Sequence, residues 1–181
     1  MTMPSYPTVT DQFCGAGGSS QGAAEAGAEI KLALNHWDLA IKTHNTNFPQ
    51  TDHDCTDVSA CDPRRYRATT ILITSPECTN HSLAKGKMRK WQQQLDMFGK
   101  LELDPAEERS RATMWDVCRF AEAHHYQVVI VENVVEARHW PPFEAWLQAM
   151  HLLGYKHEIV YLNSMFAHPT PQSRDRMYVV F

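Results

Sequence analysis

The sequence predicts an α/β domain built on a mostly parallel, seven-stranded sheet with helices on both faces. Two observations support this prediction. Short apolar runs that do not alternate with polar residues recur along the chain, as expected of strands buried on both faces. Segments with helical patterns separate these runs, which is typical of parallel β-α-β units. The 181 residues suffice for one domain with a substantial core.

The elements follow from residue type, in chain order. Strands are predicted at 8–13, 30–35, a short piece near 55–58, 70–74, 127–131, 157–162 and 177–181. Helices are predicted at 19–26, 38–45, 106–125 and 142–153. The third helix has apolar residues at helical spacing, and the fourth begins at prolines and ends at Gly154. Residues 79–105 are polar and have no clear period, which is typical of a functional loop.

Composition narrows the class of protein. Apolar residues make up 43 % and charged residues 21 %, as in ordinary globular proteins. No apolar run has the length of a membrane span, and the N-terminus lacks the pattern of a signal peptide. The five cysteines form no disulfide framework, so we expect reduced thiols in a cytoplasmic protein. The net charge of −4 is unusual for a protein that mainly grips nucleic acid.

Chemically capable side chains follow the predicted strands one after another. Ligands of open α/β sheets bind beyond the carboxyl ends of the strands, so these residues are expected at one edge. In chain order they are Phe13 with Gly15, Gly17 and Gly18; Asn35, His36, Trp37 and Asp38; Asp57, at the end of the third strand; Cys78; Glu132 and Asn133; and Gln172, Arg174 and Arg176, in the loop before the last strand.

The residues alone leave two interpretations open at several of these positions. The glycine-rich turn brings the backbone close to a ligand, or it is a plain tight turn. Asn35, His36 and Asp38 contact ribose hydroxyls, or they cap a helix. Asp57 accepts a hydrogen bond from an adenine amino group, or it ends a strand.

Cys78 and Glu132 are the candidate catalytic residues, and each also has a structural interpretation. Cys78 follows an apolar strand on a polar turn, as a nucleophile at the mouth of a cleft would. A small buried thiol describes Cys14 and Cys118 better. Glu132 ends a very apolar run, where a carboxylate is costly unless it has a partner. His53, Cys55 and Cys61 lack a standard zinc spacing, so no metal site is predicted.

Four segments, in this order, resemble the motifs of the carbon-5 cytosine methyltransferases, which use S-adenosylmethionine. The first motif is similar to DQFCGAGGSSQG, and the Pro-Cys turn of the family is similar to SPECTNHS. The Glu-Asn-Val motif is Glu132-Asn133-Val134, and the Gln-x-Arg-x-Arg motif is QSRDR, after NSMFAHPTP. The resemblance covers nearly the whole chain and implies a Rossmann-like methyltransferase fold.

The resemblance also implies roles for the residues. Cys78 would attack carbon-6 of a cytosine flipped out of DNA, Glu132 would contact its ring nitrogen and amine, and Arg174 and Arg176 would hold the base oxygen and the backbone. The implied cofactor contacts are Phe13, Gly15, Gly17, Gly18, His36, Trp37, Asp57, Val58 and Pro76. The implied nucleic-acid contacts are Lys85, Lys87, Arg89, Lys90 and Gln172.

The sequence departs from the family pattern in three respects. Glu77 precedes the cysteine where the family has proline, and His36 stands where the family has an acidic residue. The target-recognition domain is expected to be absent, which predicts a second chain or a further region that reads DNA. We expect a cofactor-binding half at about 1–62, a catalytic half at about 63–181, and a bacterial or phage-like, nucleoid-associated setting. A non-catalytic cofactor-binding module and an RNA cytosine-5 methyltransferase are the alternatives.

Overall fold

The structure is a computed structural model that describes residues 6–77, 105–167 and 171–181, with the backbone alone at 105–112. Seven strands form one sheet in the order β3-β2-β1-β4-β5-β7-β6. They are β1 (Thr8–Gln12), β2 (Glu29–Asn35), β3 (Asp52–Cys55), β4 (Ile71–Thr74), β5 (Val128–Asn133), β6 (Glu158–Asn163) and β7 (Asp175–Val180). Strands β1 to β5 are parallel, and β7 is antiparallel to both β5 and β6. The predicted fold class is confirmed.

The helices pack on both faces of this sheet. They are α1 (Gly18–Glu25), α2 (Asp38–Asn47), α3 (Pro105–His124), α4 (Phe143–Leu152) and α5 (Ser164–Ala167), with 3-10 turns at Pro63–Arg65 and Val135–His139. Helices α1 and α2 lie against β1, β2 and β3, and α3 packs on α4. No helix within the described ranges is long and apolar enough to cross a membrane.

The predicted position of the third strand was wrong by three residues. β3 is Asp52–Cys55, and Asp57 lies in the turn that follows it rather than at its end. β3 is an edge strand that pairs only with β2, and its side chains are exposed or half-buried. A strand with no sheet neighbour on one side needs few apolar residues, so its DHDC sequence carries no strand pattern.

Two further boundaries differ from the prediction and matter for function. Glu132 and Asn133 are the last residues of β5 rather than the loop after it. Arg176 lies inside β7, which begins at Asp175, two residues earlier than predicted. Pairing with β6 extends β7 through these polar residues, because Asp175 and Arg176 pair with Asn163 and Leu162, whereas the ladder with β5 begins only at Met177.

The hydrophobic core lies on one face of the sheet. Leu72, Val129, Val131, Met177 and Val179 project from β4, β5 and β7 toward α3 and α4, and all of them are buried. From α3 and α4, large side chains that are almost fully buried pack against them, among them Phe120, Phe143, Trp146 and Met150. The Trp146 indole Nε1 donates to the Met114 carbonyl at 2.8 Å and so ties α4 to α3.

Candidate active site

The glycine turn after β1 is built for close approach of the backbone. Phe13, Gly15 and Gly17 have φ values of 58°, 53° and 103°, which is the left-handed region. A Cβ at Gly17 would stand 2.6 Å from Phe48 Cε2 and 3.3 Å from His44 Cδ2, so this position has no room for a side chain. Gly18, the first residue of α1, faces open space. The turn therefore presents bare backbone at a helix start, as a polar ligand group requires.

A hydrogen-bonded network of polar side chains, three of them buried and His53 half-buried, lies beneath this turn. Ser20 Oγ donates to Asp11 Oδ2 at 2.7 Å and lies 2.9 Å from His44 Nε2. His44 Nδ1 lies 2.8 Å from His53 Nε2. When Asp11 is ionised, Ser20 gives it the hydroxyl proton, so His44 Nε2 donates to Ser20 Oγ and His53 Nε2 donates to His44 Nδ1. This network connects β1, α1, α2 and β3.

Burial shifts the pKa values of Asp11 and His44 in this network in opposite directions. Loss of solvation raises the pKa of Asp11 to about 7, although the Ser20 hydrogen bond opposes the shift. Loss of solvation and then the neighbouring His53 lower the pKa of His44 to about 4. Sequence reasoning missed this network. A signal was available, because Asp11 is a charged residue in a strand predicted to be buried, where a carboxylate needs a partner.

The residues after β2 divide between turn formation and exposure. Asn35 Oδ1 accepts from Trp37 N at 2.9 Å, and Asp38 pairs with Lys42 one turn along α2 at 2.5 Å. Asn35 therefore stabilises the turn before α2, and Asp38 lies in the first turn of the helix, but neither side chain caps it, because the N-cap residue is Trp37. His36 and Trp37 are exposed, with 59 % of Trp37 accessible, beside the carboxyl end of the sheet. The indole of Trp37 is therefore accessible from solvent at this edge.

The turn after β3 presents Asp57 to solvent and buries Val58. Asp57 Oδ1 accepts from Ser59 N at 2.9 Å, which fixes the carboxylate over its own turn. Strands β3, β2 and β1 are neighbours in the sheet, so Asp57, Trp37 and Phe13 stand side by side at one edge. This edge, with its exposed carboxylate, exposed indole and bare glycine backbone, fits a nucleoside-containing cofactor.

The partner that Glu132 was predicted to need is Arg176. Arg176 Nε lies 2.6 Å from Glu132 Oε1, and the two side chains are 24 % and 26 % exposed. Glu132 lies near the carboxyl end of β5 and Arg176 near the start of β7. Because the two strands run antiparallel, these positions lie at the same edge of the sheet. The ion pair keeps a half-buried carboxylate in a fixed orientation at the edge of the sheet.

Asn133 links this pair to the turn after β4. Asn133 is buried, its Nδ2 donates to the Pro76 carbonyl at 3.4 Å, and its Oδ1 accepts from Val134 N at 2.9 Å. Pro76 is buried and stands two residues before Cys78. The end of β5 is thus hydrogen-bonded to the turn that follows β4. Cys78 itself lies outside the described residues, as do Lys85, Lys87, Arg89 and Lys90.

Ser164 in α5 orders the segment before β7. Its Oγ donates to the Gln172 carbonyl at 2.6 Å and accepts from Arg174 N at 3.1 Å, and its N donates to the Arg174 carbonyl at 3.1 Å. Gln172 and Arg174 are exposed, whereas Arg176 is half-buried against Glu132. The two arginines of the motif therefore have different surroundings, and only Arg176 touches the carboxylate.

Burial raises the pKa of three described cysteines, Cys14, Cys61 and Cys118, whereas the exposed Cys55 lies at this edge, with its Sγ 3.6 Å from the His36 carbonyl. Cys14, Cys55, Cys61 and Cys118 are free thiols. Burial, with a further contribution from Asp11, raises the pKa of Cys14 to about 12, and burial raises the pKa of Cys118 to about 11. Both values favour the protonated thiol at neutral pH. The interpretation of these two residues as small structural thiols agrees with these shifts.

A groove of about 840 Å³ runs from this edge along the sheet face that bears α1. Its floor is Ile71, Ile73, Ile130 and Tyr178, and its wall is the small-residue side of α1. Glu132, Arg174 and Arg176 stand at one end. The groove is mostly apolar, with its charged groups gathered where the chemistry is predicted.

Comparison with known proteins identifies relatives over nearly the whole chain. The profile of the family described as C-5 cytosine-specific DNA methylase matches residues 8–181. The Type II methyltransferase M.HgiDI of Herpetosiphon aurantiacus is 28 % identical over 174 residues, which is 94 % of this chain and 50 % of that protein. The chain thus spans about half the length of this curated relative.

Solved structures show the same fold. The S. pombe Dnmt2 methyltransferase aligns with a TM-score of 0.68 and 17 % identity over 96 % of this chain and 48 % of its own. A variant of Spodoptera frugiperda DNMT2 aligns with a TM-score of 0.72 and 17 % identity over 97 % and 49 %. At these identities the likeness establishes the fold alone.

Proposed function

The chain belongs to the C-5 cytosine-specific DNA methylase family, and from that premise we propose that it is the catalytic part of a DNA cytosine-5 methyltransferase. The observation that carries the proposal is the Glu132–Arg176 ion pair of 2.6 Å at the carboxyl edge of the sheet. A carboxylate and a guanidinium fixed there can meet the polar edge of a base. Asn133, which bonds the Pro76 carbonyl, supports the placement of the neighbouring turn.

The proposed reaction uses Cys78 as the nucleophile. Its thiolate sulfur forms a bond to carbon-6 of a cytosine flipped out of the duplex, and the electrons of the 5,6 double bond pass to carbon-5. Carbon-5 takes a methyl group, which S-adenosylmethionine supplies. A base then removes the carbon-5 proton, the double bond re-forms, and the sulfur leaves.

Glu132 and the arginines act on the same base. Glu132 would contact ring nitrogen-3 and the exocyclic amine, so that it stabilises the enamine formed by the attack of Cys78. Arg176 would hold Glu132 in that orientation. Arg176 and Arg174 would also contact the base oxygen and the nucleic-acid backbone. Lys85, Lys87, Arg89, Lys90 and Gln172 would contact the nucleic acid.

The cofactor would lie across the ends of β1, β2, β3 and β4. Phe13 and the glycines at 15, 17 and 18 would approach it through the backbone, His36 and Trp37 would meet the ribose side, and Asp57 with Val58 the adenine. Pro76 would close the site beside the nucleophile. The cofactor-binding half is then residues about 1–62 and the catalytic half about 63–181, because Glu132 and Arg176 belong to the second.

The reading of DNA would require a further region or a second chain. The curated relative M.HgiDI, a Type II methyltransferase, is about twice as long as the matched segment. The groove on the α1 face leaves Ile73, Ile130 and Tyr178 only partly covered. We propose that the complementing part covers this groove, and that the complete protein modifies DNA in a bacterial restriction-modification setting.

The test is a map of 5-methylcytosine in a bacterial host free of its own methylation. The chain is expressed alone, together with the reading frame downstream of its gene, and in both forms with Cys78→Ala. We expect one methylated sequence motif when the complement is present, and none with Cys78→Ala. Methylation of RNA alone would establish the RNA alternative. No methylation in any form, with the cofactor still bound, would replace the proposal with a non-catalytic module.

A further inference from the structure

The turn that follows β3 is held from outside by one side chain of α3. Arg119 Nη1 donates to the Cys61 carbonyl at 2.7 Å, and Arg119 Nη2 donates to the Val58 carbonyl at 2.5 Å. Within the turn, the amides of Ala60 and Cys61 both donate to the Asp57 carbonyl. A planar guanidinium has donors in a fixed fork, so two simultaneous carbonyl contacts define the path of the turn.

Arg119 is itself fixed by a buried carboxylate. Arg119 Nε and Nη2 lie 3.2 Å and 2.9 Å from Asp116 Oδ1, and Asp116 is 6 % exposed. The other carboxylate oxygen, Asp116 Oδ2, accepts from Ser59 Oγ at 2.5 Å. The guanidinium and the carboxylate together therefore bind three residues of the turn, at Val58, Ser59 and Cys61.

This clamp acts on the residue that carries the exposed carboxylate. Ser59 N donates to Asp57 Oδ1, so the position of Ser59 sets the orientation of the Asp57 side chain. Asp57 is exposed, and Ser59, which bonds both Asp57 and Asp116, connects it to α3. Order in the Asp57 carboxylate thus depends on Ser59, and order in Ser59 depends on Asp116 and Arg119.

We propose that Arg119, together with Asp116, is a positioning residue that holds the turn at Asp57 and Val58 in the conformation that receives the adenine of the cofactor. The inference rests on the proposed function, because it takes the cofactor to lie at this edge. Neither residue touches the cofactor. A carboxylate held in place beforehand selects the adenine amino group, since no ordering cost is left for the binding step.

The chain offers a closely matched control in Arg138. Arg119 and Arg138 are 36 % and 38 % exposed, and each pairs with one carboxylate, Asp116 and Glu144 respectively. Each also lies over a phenylalanine ring, at 5.7 Å for Arg119 and 4.7 Å for Arg138. Arg119 differs in its two carbonyl contacts to the turn after β3.

The experiment measures binding of two cofactor products by titration calorimetry, with thermal unfolding of every variant alongside. The ligands are S-adenosylhomocysteine and S-inosylhomocysteine, in which a carbonyl replaces the adenine amino group. For Arg119→Ala we expect at least tenfold weaker binding of the adenosyl ligand and a loss of the preference over the inosyl ligand. Arg119→Lys should fall between, because an ammonium cannot reproduce the fork. Arg138→Ala should bind both ligands as the unchanged chain does.

Ser59→Ala serves as the milder variant if loss of Arg119 impairs folding. It removes the hydroxyl contact to Asp116 and leaves both arginine contacts, so the preference for the adenosyl ligand should fall about threefold, as expected for one hydrogen bond.

Each outcome decides a separate point. If the unchanged chain prefers the adenosyl ligand and Arg119→Ala keeps that preference, the inference is overturned and the proposed function stands. If Arg119→Ala weakens both ligands equally, in step with its unfolding temperature, the role is merely structural and the inference is also overturned. If the unchanged chain binds no adenosyl ligand, the proposed cofactor site fails, and the inference fails with it.

Discussion

The two faces of the sheet are covered to very different extents, although they belong to the same strands. On one face Leu72, Val129 and Val179 have no exposed surface and pack under α3 and α4. On the other face Ile73, Ile130 and Tyr178 remain half-buried and form the floor of the groove beside α1. Neighbouring residues of one strand therefore have opposite surroundings, as the alternation of side chains in a strand requires.

Because the two faces differ in burial, we expect one to contribute mainly to stability and the other mainly to function. The face under α3 and α4 supplies the hydrophobic core, whose large side chains are buried almost completely. The open face carries Glu132 and Arg176 at its end, where half-burial leaves them accessible. We infer that substitutions on the first face will change the free energy of unfolding, and substitutions on the second will change activity.

The largest expected effect on stability contrasts two neighbours in β4. Leu72→Ala should lower the free energy of unfolding by about 3 kcal/mol, because it opens a cavity in a packed core. Ile73→Ala should lower it by about 1 kcal/mol, because the half-buried side chain leaves the open groove rather than a packed site. Urea unfolding of the two variants measures both values. Equal losses would mean that the groove is filled in solution.

The next effect concerns the ion pair on the open face. Glu132→Gln should reduce methylation at least ~100-fold, equivalent to about 2.7 kcal/mol, because the amide lacks the charge that orients both the base and Arg176. Initial rates with saturating DNA and cofactor, in the form of the protein that methylates, measure the loss. The free energy of unfolding should change by no more than about 1 kcal/mol.

The exposed pair Arg138–Glu144 provides the control for this substitution. Its atoms are also 2.6 Å apart, but Glu144 is 74 % exposed and lies on α4, away from the groove. Glu144→Gln should leave the methylation rate within about twofold of the unchanged protein. A comparable loss in both variants would show that Glu132 has no special part in the reaction.

The smallest effect is the pH dependence of stability that arises from the hydrogen-bonded network under the glycine turn. Between pH 4 and about 6.5, folded His44 binds fewer protons than in the unfolded state, so its contribution to the free energy of unfolding rises with pH. Between about pH 3.8 and 7, folded Asp11 binds more protons than in the unfolded state, so its contribution falls as the pH rises. The two slopes, each at most about 1.4 kcal/mol per pH unit, oppose one another.

Single substitutions should expose each slope. In Asp11→Asn the opposing contribution is gone, and the free energy of unfolding should fall on acidification from pH 6.5 to 4. In His44→Gln it should rise over the same change, relative to the unchanged protein. Denaturant unfolding at a series of pH values compares the three proteins. Parallel curves for all three would refute the assigned shifts.

The sequence was most informative for the central strands of the sheet. The apolar runs of β4 and β5 predicted these strands within a few residues, because a strand covered on one face and half-covered on the other carries apolar side chains on both. The edge strand β3 was misplaced, since an exposed edge has no such requirement. Arg176 was predicted in the loop before the last strand, whereas it lies inside β7 and pairs with Glu132.

The candidate site was predictable as a set of motifs but not as a set of contacts. Glu132 was expected to need a partner, yet only the antiparallel pairing of β5 with β7 identifies that partner as Arg176. The roles of Arg119 and Asp116 could not be read from the sequence. They lie more than fifty residues from the turn that they bind, and nothing in a helical pattern distinguishes them from a surface ion pair.

The most direct test of the catalytic assignment is covalent trapping of Cys78. DNA duplexes that contain 5-fluorocytosine in the methylated motif are incubated with cofactor and the methylating form of the protein, and the adduct is mapped by peptide mass spectrometry. Fluorine at carbon-5 prevents the final release, so the bond between the sulfur and carbon-6 should persist on the peptide that contains Cys78, and Cys78→Ala should give no adduct. An adduct at another residue, or methylation that continues without Cys78, would contradict the account.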